Sequence, residues 1–201
     1  MRATALKLVV CATLLLGACD GGPSEPAFVP EGSLSFAYQG PISGSYEATG
    51  VMEVQAGTLP QPVTGATAYR QDQLVNLLAF RAQSATRGDA FLMLLGQVAG
   101  TGQVSLDPIA CQQQVLEGCR IGFFVPDVEV TQLQGPELPA GLLESAYVMV
   151  LGAVNVTTRT DRRIKGTFQG AAFRGGEQSL QNVLAISNGR FDLPVRPQGA
   201  P

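Results

Sequence analysis

Between residues 33 and 54 polar and apolar side chains alternate with a period of two, and this alternation decides the class of fold open to the chain. Leu34, Phe36 and Tyr38 alternate with Ser33, Ser35 and Gln39. After Gly40-Pro41, residues Ile42, Gly44, Tyr46, Ala48, Gly50, Met52 and Val54 alternate with Ser43, Ser45, Glu47, Thr49, Val51 and Glu53. Successive side chains of a strand point to opposite faces, so the pattern buries one face and wets the other. It predicts an antiparallel hairpin. The glycines of its second strand are expected to bend or bulge it and let the sheet curl.

A similar design returns near the C-terminus. Tyr147 to Thr158 is rich in Val, Met, Leu, Ala and Thr, residues 160–163 are turn-like, and a second run starts at Ile164. Ile164-Lys165-Gly166-Thr167-Phe168-Gln169-Gly170-Ala171 matches Ile42-Ser43-Gly44-Ser45-Tyr46-Glu47-Ala48-Thr49 in its order of Ile, Gly, hydroxyl, aromatic and amide or acid. We read this as a pseudo-repeat of one hairpin; the bland alternative is that curved strands choose small residues independently.

Residues 74–82 fit either a strand or a helix, since Leu74, Leu77 and Leu78 share a helical face. The turn-rich 84–89 segment and the apolar run Phe91-Leu92-Met93-Leu94-Leu95 favour a hairpin of 74–82 with 90–98. The 91–95 run, apolar on both sides, is expected to be a central strand covered on both faces. Short strands are expected at 102–106 and 120–125, and a connection with a single helical turn at 135–144. At the end, Asn188-Gly189 between apolar runs predicts a hairpin of 183–187 with 190–195; a β-bulge in one continuous strand is the alternative. About ten strands punctuated by Gly, Pro and Asn make the domain all-β, an antiparallel β-sandwich or a small β-barrel.

The N-terminus has another character. Arg2 and Lys7 precede the apolar segment Leu8 to Leu16, nine residues long. A bilayer span needs about 20, whereas a signal-peptide core is this short. Leu16-Gly17-Ala18-Cys19 resembles a bacterial lipobox. The resemblance implies that residues 1–18 are a cleaved signal peptide and that Cys19 carries lipid on its sulfur and amine. Residues 19–32, rich in Gly and Pro, then form the lipidated cysteine and a flexible tether. Residues 33–196 form one domain and 197–201 a disordered tail.

Cleavage leaves 183 residues with eleven basic and sixteen acidic side chains, a net charge of −5. Nucleic-acid binding needs a basic face, so it is not expected. Attachment to an anionic membrane through net charge is opposed too, and the lipid is expected to be the membrane anchor. Of the four cysteines, Cys11 lies in the leader and Cys19 is the lipidation site. Cys111 and Cys119 are an even pair in an oxidising compartment and are expected to form a disulfide. It closes a short loop and stabilises the fold by roughly 2–3 kcal/mol. A redox-active pair is disfavoured, because seven residues separate the two.

The domain resembles a loose group of lipid-anchored bacterial β-domain lipoproteins of unknown function. The likeness rests on Gly100-Thr101-Gly102-Gln103-Val104-Ser105-Leu106, on Arg162-Arg163-Ile164-Lys165-Gly166-Thr167-Phe168 and on Ile186-Ser187-Asn188-Gly189-Arg190-Phe191. It implies a fold and an envelope location, facing the periplasm or the cell surface. It carries over no catalytic residue.

Chemistry is sparse. The chain has no histidine, the commonest general base and zinc nitrogen ligand. No catalytic residue, metal ligand or cofactor is expected. Arg159, Arg162, Arg163 and Lys165 form the dense basic cluster, a surface for headgroup or polysaccharide phosphates or simply a solvated turn. Asp127 and Glu129, at i and i+2 on one strand face, would suit a carboxylate pair or an ordinary wet surface. The favoured reading is a non-enzymatic envelope lipoprotein that binds or scaffolds a protein or polysaccharide. A lipocalin-like barrel carrying a small apolar ligand comes second, and a histidine-free carboxylate enzyme acting on cell-wall sugar third.

Overall fold

The structure, a computed structural model, describes residues 31–52, 64–71, 73–115, 117–133, 140–175 and 180–197. The leader, Cys19, the tether up to residue 30 and the tail from residue 198 lie outside these, as do residues 135–139 of the expected 135–144 connection. The described residues form ten strands: β1 Gly32–Gln39, β2 Gly44–Gly50, β3 Gly65–Gln71, β4 Leu74–Ala82, β5 Arg87–Gln97, β6 Gly102–Ser105, β7 Ile121–Glu129, β8 Tyr147–Arg159, β9 Arg163–Arg174 and β10 Val183–Pro197. Two short helices, α1 Pro108–Gln112 and α2 Ala140–Ser145, lie in connections. Residues 74–82 are a strand, paired with β5 as the alternation implies. β1–β2 and β8–β9 are antiparallel hairpins.

Seven strands close on themselves in the order β3-β4-β5-β7-β8-β9-β10, and β10 returns to β3. The fold is therefore a barrel, the choice the alternation left open. The ladders run antiparallel except at the closing seam, where Val195, Arg196 and Pro197 pair parallel with Ala68, Tyr69 and Arg70. Following partner to partner from Val195 gives Ala68, Leu77, Met93, Gly122, Met149, Ala172 and Leu184. The walk ends eleven residues earlier on the strand where it began. That displacement is the stagger a tilted barrel requires. All eight residues are buried, so one layer of the interior can be read from the register alone. Gly122 leaves the space that the methyl groups of Met149 and Met93 fill.

An odd displacement would put Val195 and Leu184 on opposite faces of a regular strand. The device that reconciles them is the bulge at Asn188-Gly189. The sequence there predicts a hairpin, but β10 is one strand running through it, with Asn188 at φ 55°. The β9 partners jump from Gly170 opposite Ile186 to Phe168 opposite Gly189. Before the bulge Leu184 and Ile186 point inward; after it Gly189, Phe191, Leu193 and Val195 do. Asn-Gly supplies a left-handed residue to a turn and to a bulge alike, so the dipeptide does not distinguish them.

β1 and β2 widen the wall where the seam does not reach. β1 pairs with β10 from Ser33–Asp192 to Gln39–Ala185, on the edge that β10 gives to β3 further along. Their inward side chains complete an aromatic centre. Phe36 lies 4.9 Å from Tyr46 in a stacked arrangement, 5.2 Å from Phe91 and Phe124, and 5.8 Å from Phe168. Tyr46 and Phe168, equivalent in the pseudo-repeat, thus flank one ring. Their strands differ, for β9 lies between β8 and β10 while β2 pairs with β1 alone.

Phe91, Met93 and Leu95 are fully buried, but Leu92 and Leu94 are only half-buried. The run is central in the wall yet not covered on both faces, because its even positions lie on the outside of the barrel. A smaller outer cluster does form where α2 and residue 52 meet the wall: Met52, Phe80, Val125, Val128, Val130, Leu142 and Ala146.

A Cβ added at Gly189 would lie 2.5 Å from the Phe168 carbonyl oxygen. Gly189→Ala is therefore expected to destabilise the fold by about 1–3 kcal/mol, because backbone must move. Asn188→Gly, which suits the same left-handed geometry, should stay within about 1 kcal/mol of the native chain. Urea-denaturation midpoints of the two variants check this.

Candidate functional site

Charge gathers at both ends of the barrel. At one end β4 and β5 carry their inward phase past the apolar residues. Val75, Leu77 and Ala79 are followed by Arg81, and Phe91 is preceded by Asp89, which is 2 % exposed. The two are direct partners across the ladder. Arg81 donates to Asp89 Oδ2 through Nη2 and, at 3.0 Å, through Nε. The other carboxylate oxygen accepts from Gln83 Nε2 at 2.8 Å and from the Asp127 amide at 2.9 Å. That amide is free because β7 bulges at Pro126-Asp127, where Asp127 adopts φ 53° and two β5 steps face three on β7. A buried carboxylate is tolerable only when it is paired and hydrogen-bonded, and Asp89 meets both conditions.

Arg81 extends the cluster to β2. Its guanidinium lies 5.2 Å from the centre of the Tyr46 ring, and Nη1 donates to the Ser45 carbonyl at 2.8 Å. This side chain bridges β2 and β4, which share no ladder. The Tyr46 hydroxyl is buried without a partner among the described residues. Burial pushes its pKa well up; the Asp89 charge adds to the rise and Arg81 opposes it. The arrangement engages the Asp89 carboxylate at this end of the barrel with Arg81, Gln83 and the Asp127 amide.

Asp127 and Glu129 do share the outer face, as their spacing predicts, but both are held by Arg87. Its Nε lies 2.6 Å from Asp127 Oδ1 and its Nη1 3.7 Å from Glu129 Oε1. Carboxylates neutralised by a common cation are poorly placed for acid–base work.

At the other end the predicted basic cluster is gathered on the β8–β9 turn. Thr160 builds the turn: its Oγ1 accepts from the amides of Arg162 and Arg163, and its own amide donates to the Arg163 carbonyl at 2.9 Å. The Val195 amide donates to the Arg162 carbonyl at 2.9 Å, pinning the turn to β10. Arg163 and Lys165 both reach Asp192, Lys165 at 2.9 Å. Arg159 turns back onto the Thr160 carbonyl. The Arg162 side chain is exposed and makes no ion pair among the described residues. Partial burial alone would raise the pKa of Asp192; hydrogen bonds from Arg163 and Lys165, with their charge, outweigh it and hold the carboxyl below the usual range.

Cys111 and Cys119 are joined as expected, with Cα atoms 4.4 Å apart. The α1 segment begins at Pro108 and is capped by the Asp107 carboxylate, which accepts from the Ala110 amide. Cys19 lies outside the described residues. Sequence reasoning missed Arg81 and Asp89. The available signal was a charge occupying the inward phase of two strands whose other inward residues are apolar. No known family model, curated protein or solved structure matches this chain.

Asp89→Ala removes the acceptor of two side chains and a bulge amide, and is expected to cost about 3 kcal/mol. Tyr46→Phe keeps the packing and removes an unpartnered hydroxyl, so its cost should stay under about 1 kcal/mol. Chemical denaturation of both variants tests the ordering, and a Tyr46→Phe loss as large as that of Asp89→Ala would show the hydroxyl to be bonded.

Because folding lowers the Asp192 pKa, its ion pairs contribute fully above the ordinary carboxylate range and are lost as the pH falls below that range, through the depressed folded-state pKa. Asp192→Asn should lose under about 1 kcal/mol at pH 7, given partial solvent screening. The loss should shrink as the pH is taken below the ordinary carboxylate range, when unfolding free energies are measured across that interval.

Proposed function

We propose that this chain is a lipid-anchored bacterial envelope protein whose barrel is a non-enzymatic binding or scaffolding domain. Two features support the reading. The Leu16-Gly17-Ala18-Cys19 lipobox provides the anchor. The observation that carries the domain's role is its filled interior: Phe36 touches rings from β2, β5, β7 and β9 at once. Arg81 and Asp89 occupy one mouth. Rings packed against one another through the centre favour contact on the outer surface, and the polar groups best placed for chemistry are engaged with one another.

A lipocalin-like carrier is the second reading, since a closed barrel is compatible with it. It would require the Phe36 cluster to separate around a ligand.

Growth of the producing bacterium with an alkyne-tagged fatty acid tests the anchor. The native protein should take up the tag at a mature N-terminus beginning with Cys19, and Cys19→Ala should lose the tag entirely. Labelling that persists in Cys19→Ala, or a native N-terminus elsewhere, would overturn the proposal.

A further inference from the structure

The N-terminal chain joins the barrel at its basic end. Glu31, the first described residue, offers its carbonyl to Arg163 Nη2 at 3.4 Å. The β8–β9 turn, the end of β3 and the end of β10 meet there: Arg70 pairs with Asp161 at 3.1 Å, and Arg196 lies beside Tyr69 in the seam. Among the described residues six cations, Arg70, Arg159, Arg162, Arg163, Lys165 and Arg196, therefore stand against Glu31, Asp161 and Asp192. Among the described residues the far end has the opposite balance, with Asp89, Asp127, Glu129 and Glu144 against Arg81, Arg87 and Arg174. The net negative charge of the chain hides a dipolar distribution.

We infer that the β8–β9 turn is the membrane-facing surface of the anchored protein and that it contacts the phosphates of anionic phospholipid headgroups. The inference rests on the lipid-anchor reading. Eleven residues lie between Cys19 and Glu31, twelve steps with a reach of at most about 40 Å. A tether ending at the basic pole delivers that pole to the surface from which it starts. Each cation near an anionic bilayer favours contact by about fivefold. Arg162 is best placed: it is exposed and unpaired among the described residues, and Thr160 and Val195 fix the backbone that presents it. Arg163 and Lys165 share a half-buried Asp192, so they contribute less.

The test uses the native lipidated protein reconstituted into phosphatidylcholine vesicles with or without phosphatidylglycerol. Arginines are footprinted with phenylglyoxal and read by peptide mass spectrometry. Arg162 should be modified about fivefold more slowly on the phosphatidylglycerol vesicles, the protection should vanish in high salt, and Arg174 and Arg190 should not change. Arg162→Gln should still float with the vesicles. Equal modification of Arg162 on both vesicles, with the protein floating on both, would overturn the inference and leave the anchor intact. Protection by a soluble anionic polysaccharide but not by phosphatidylglycerol would overturn it in favour of that partner. Failure to float on either vesicle would remove the anchor, and the inference with it.

Discussion

One carboxylate ties together four strands. Asp89 on β5 holds Arg81 on β4 and the bulged amide of β7, and through Arg81 it reaches the β2 backbone. Main-chain pairing does not join β2 to the rest of the wall except through β1, so a side chain completes the enclosure there. The arrangement uses polar chemistry for a mechanical purpose. A lone buried charge would be strongly unfavourable, but Asp89 is bonded by Arg81, by Gln83 and by an amide that the β7 bulge leaves unpaired.

The bulges supply those irregularities. An odd displacement around the ring cannot keep every strand in one phase, and the extra residue at Asn188-Gly189 lets β10 change faces while it stays continuous. The bulge at Pro126-Asp127 frees the amide that Asp89 takes up. Geometry that looks like a local defect is required by closure of the whole sheet.

Much of this was legible in the alternation. The β1–β2, β4–β5 and β8–β9 hairpins follow from period-two runs broken by turn residues, and the cysteine pair follows from its count and spacing. Closure was not legible, because Ala68 and Val195 are 127 residues apart and neither carries a local sign of the other. Asn188-Gly189 was ambiguous for a physical reason: the same left-handed backbone serves a hairpin and a bulge. The double coverage expected of 91–95 failed because hydrophobicity on both sides of a strand does not say whether a second layer exists. The basic turn was visible as composition, but its position beside Glu31 depended on tertiary structure.

The closing strand is also the last of the described strands. β10 borders β9 along one edge and, in succession, β1 and β3 along the other. A polypeptide appearing N-terminus first therefore holds β1 and β3 with open edges until β10, Val183–Pro197, arrives. Pairings of such long sequence separation form slowly, and unsatisfied strand edges invite wrong partners meanwhile. Closure of this domain thus waits on β10, and cutting the chain back into Val195–Pro197 would open the seam to β3.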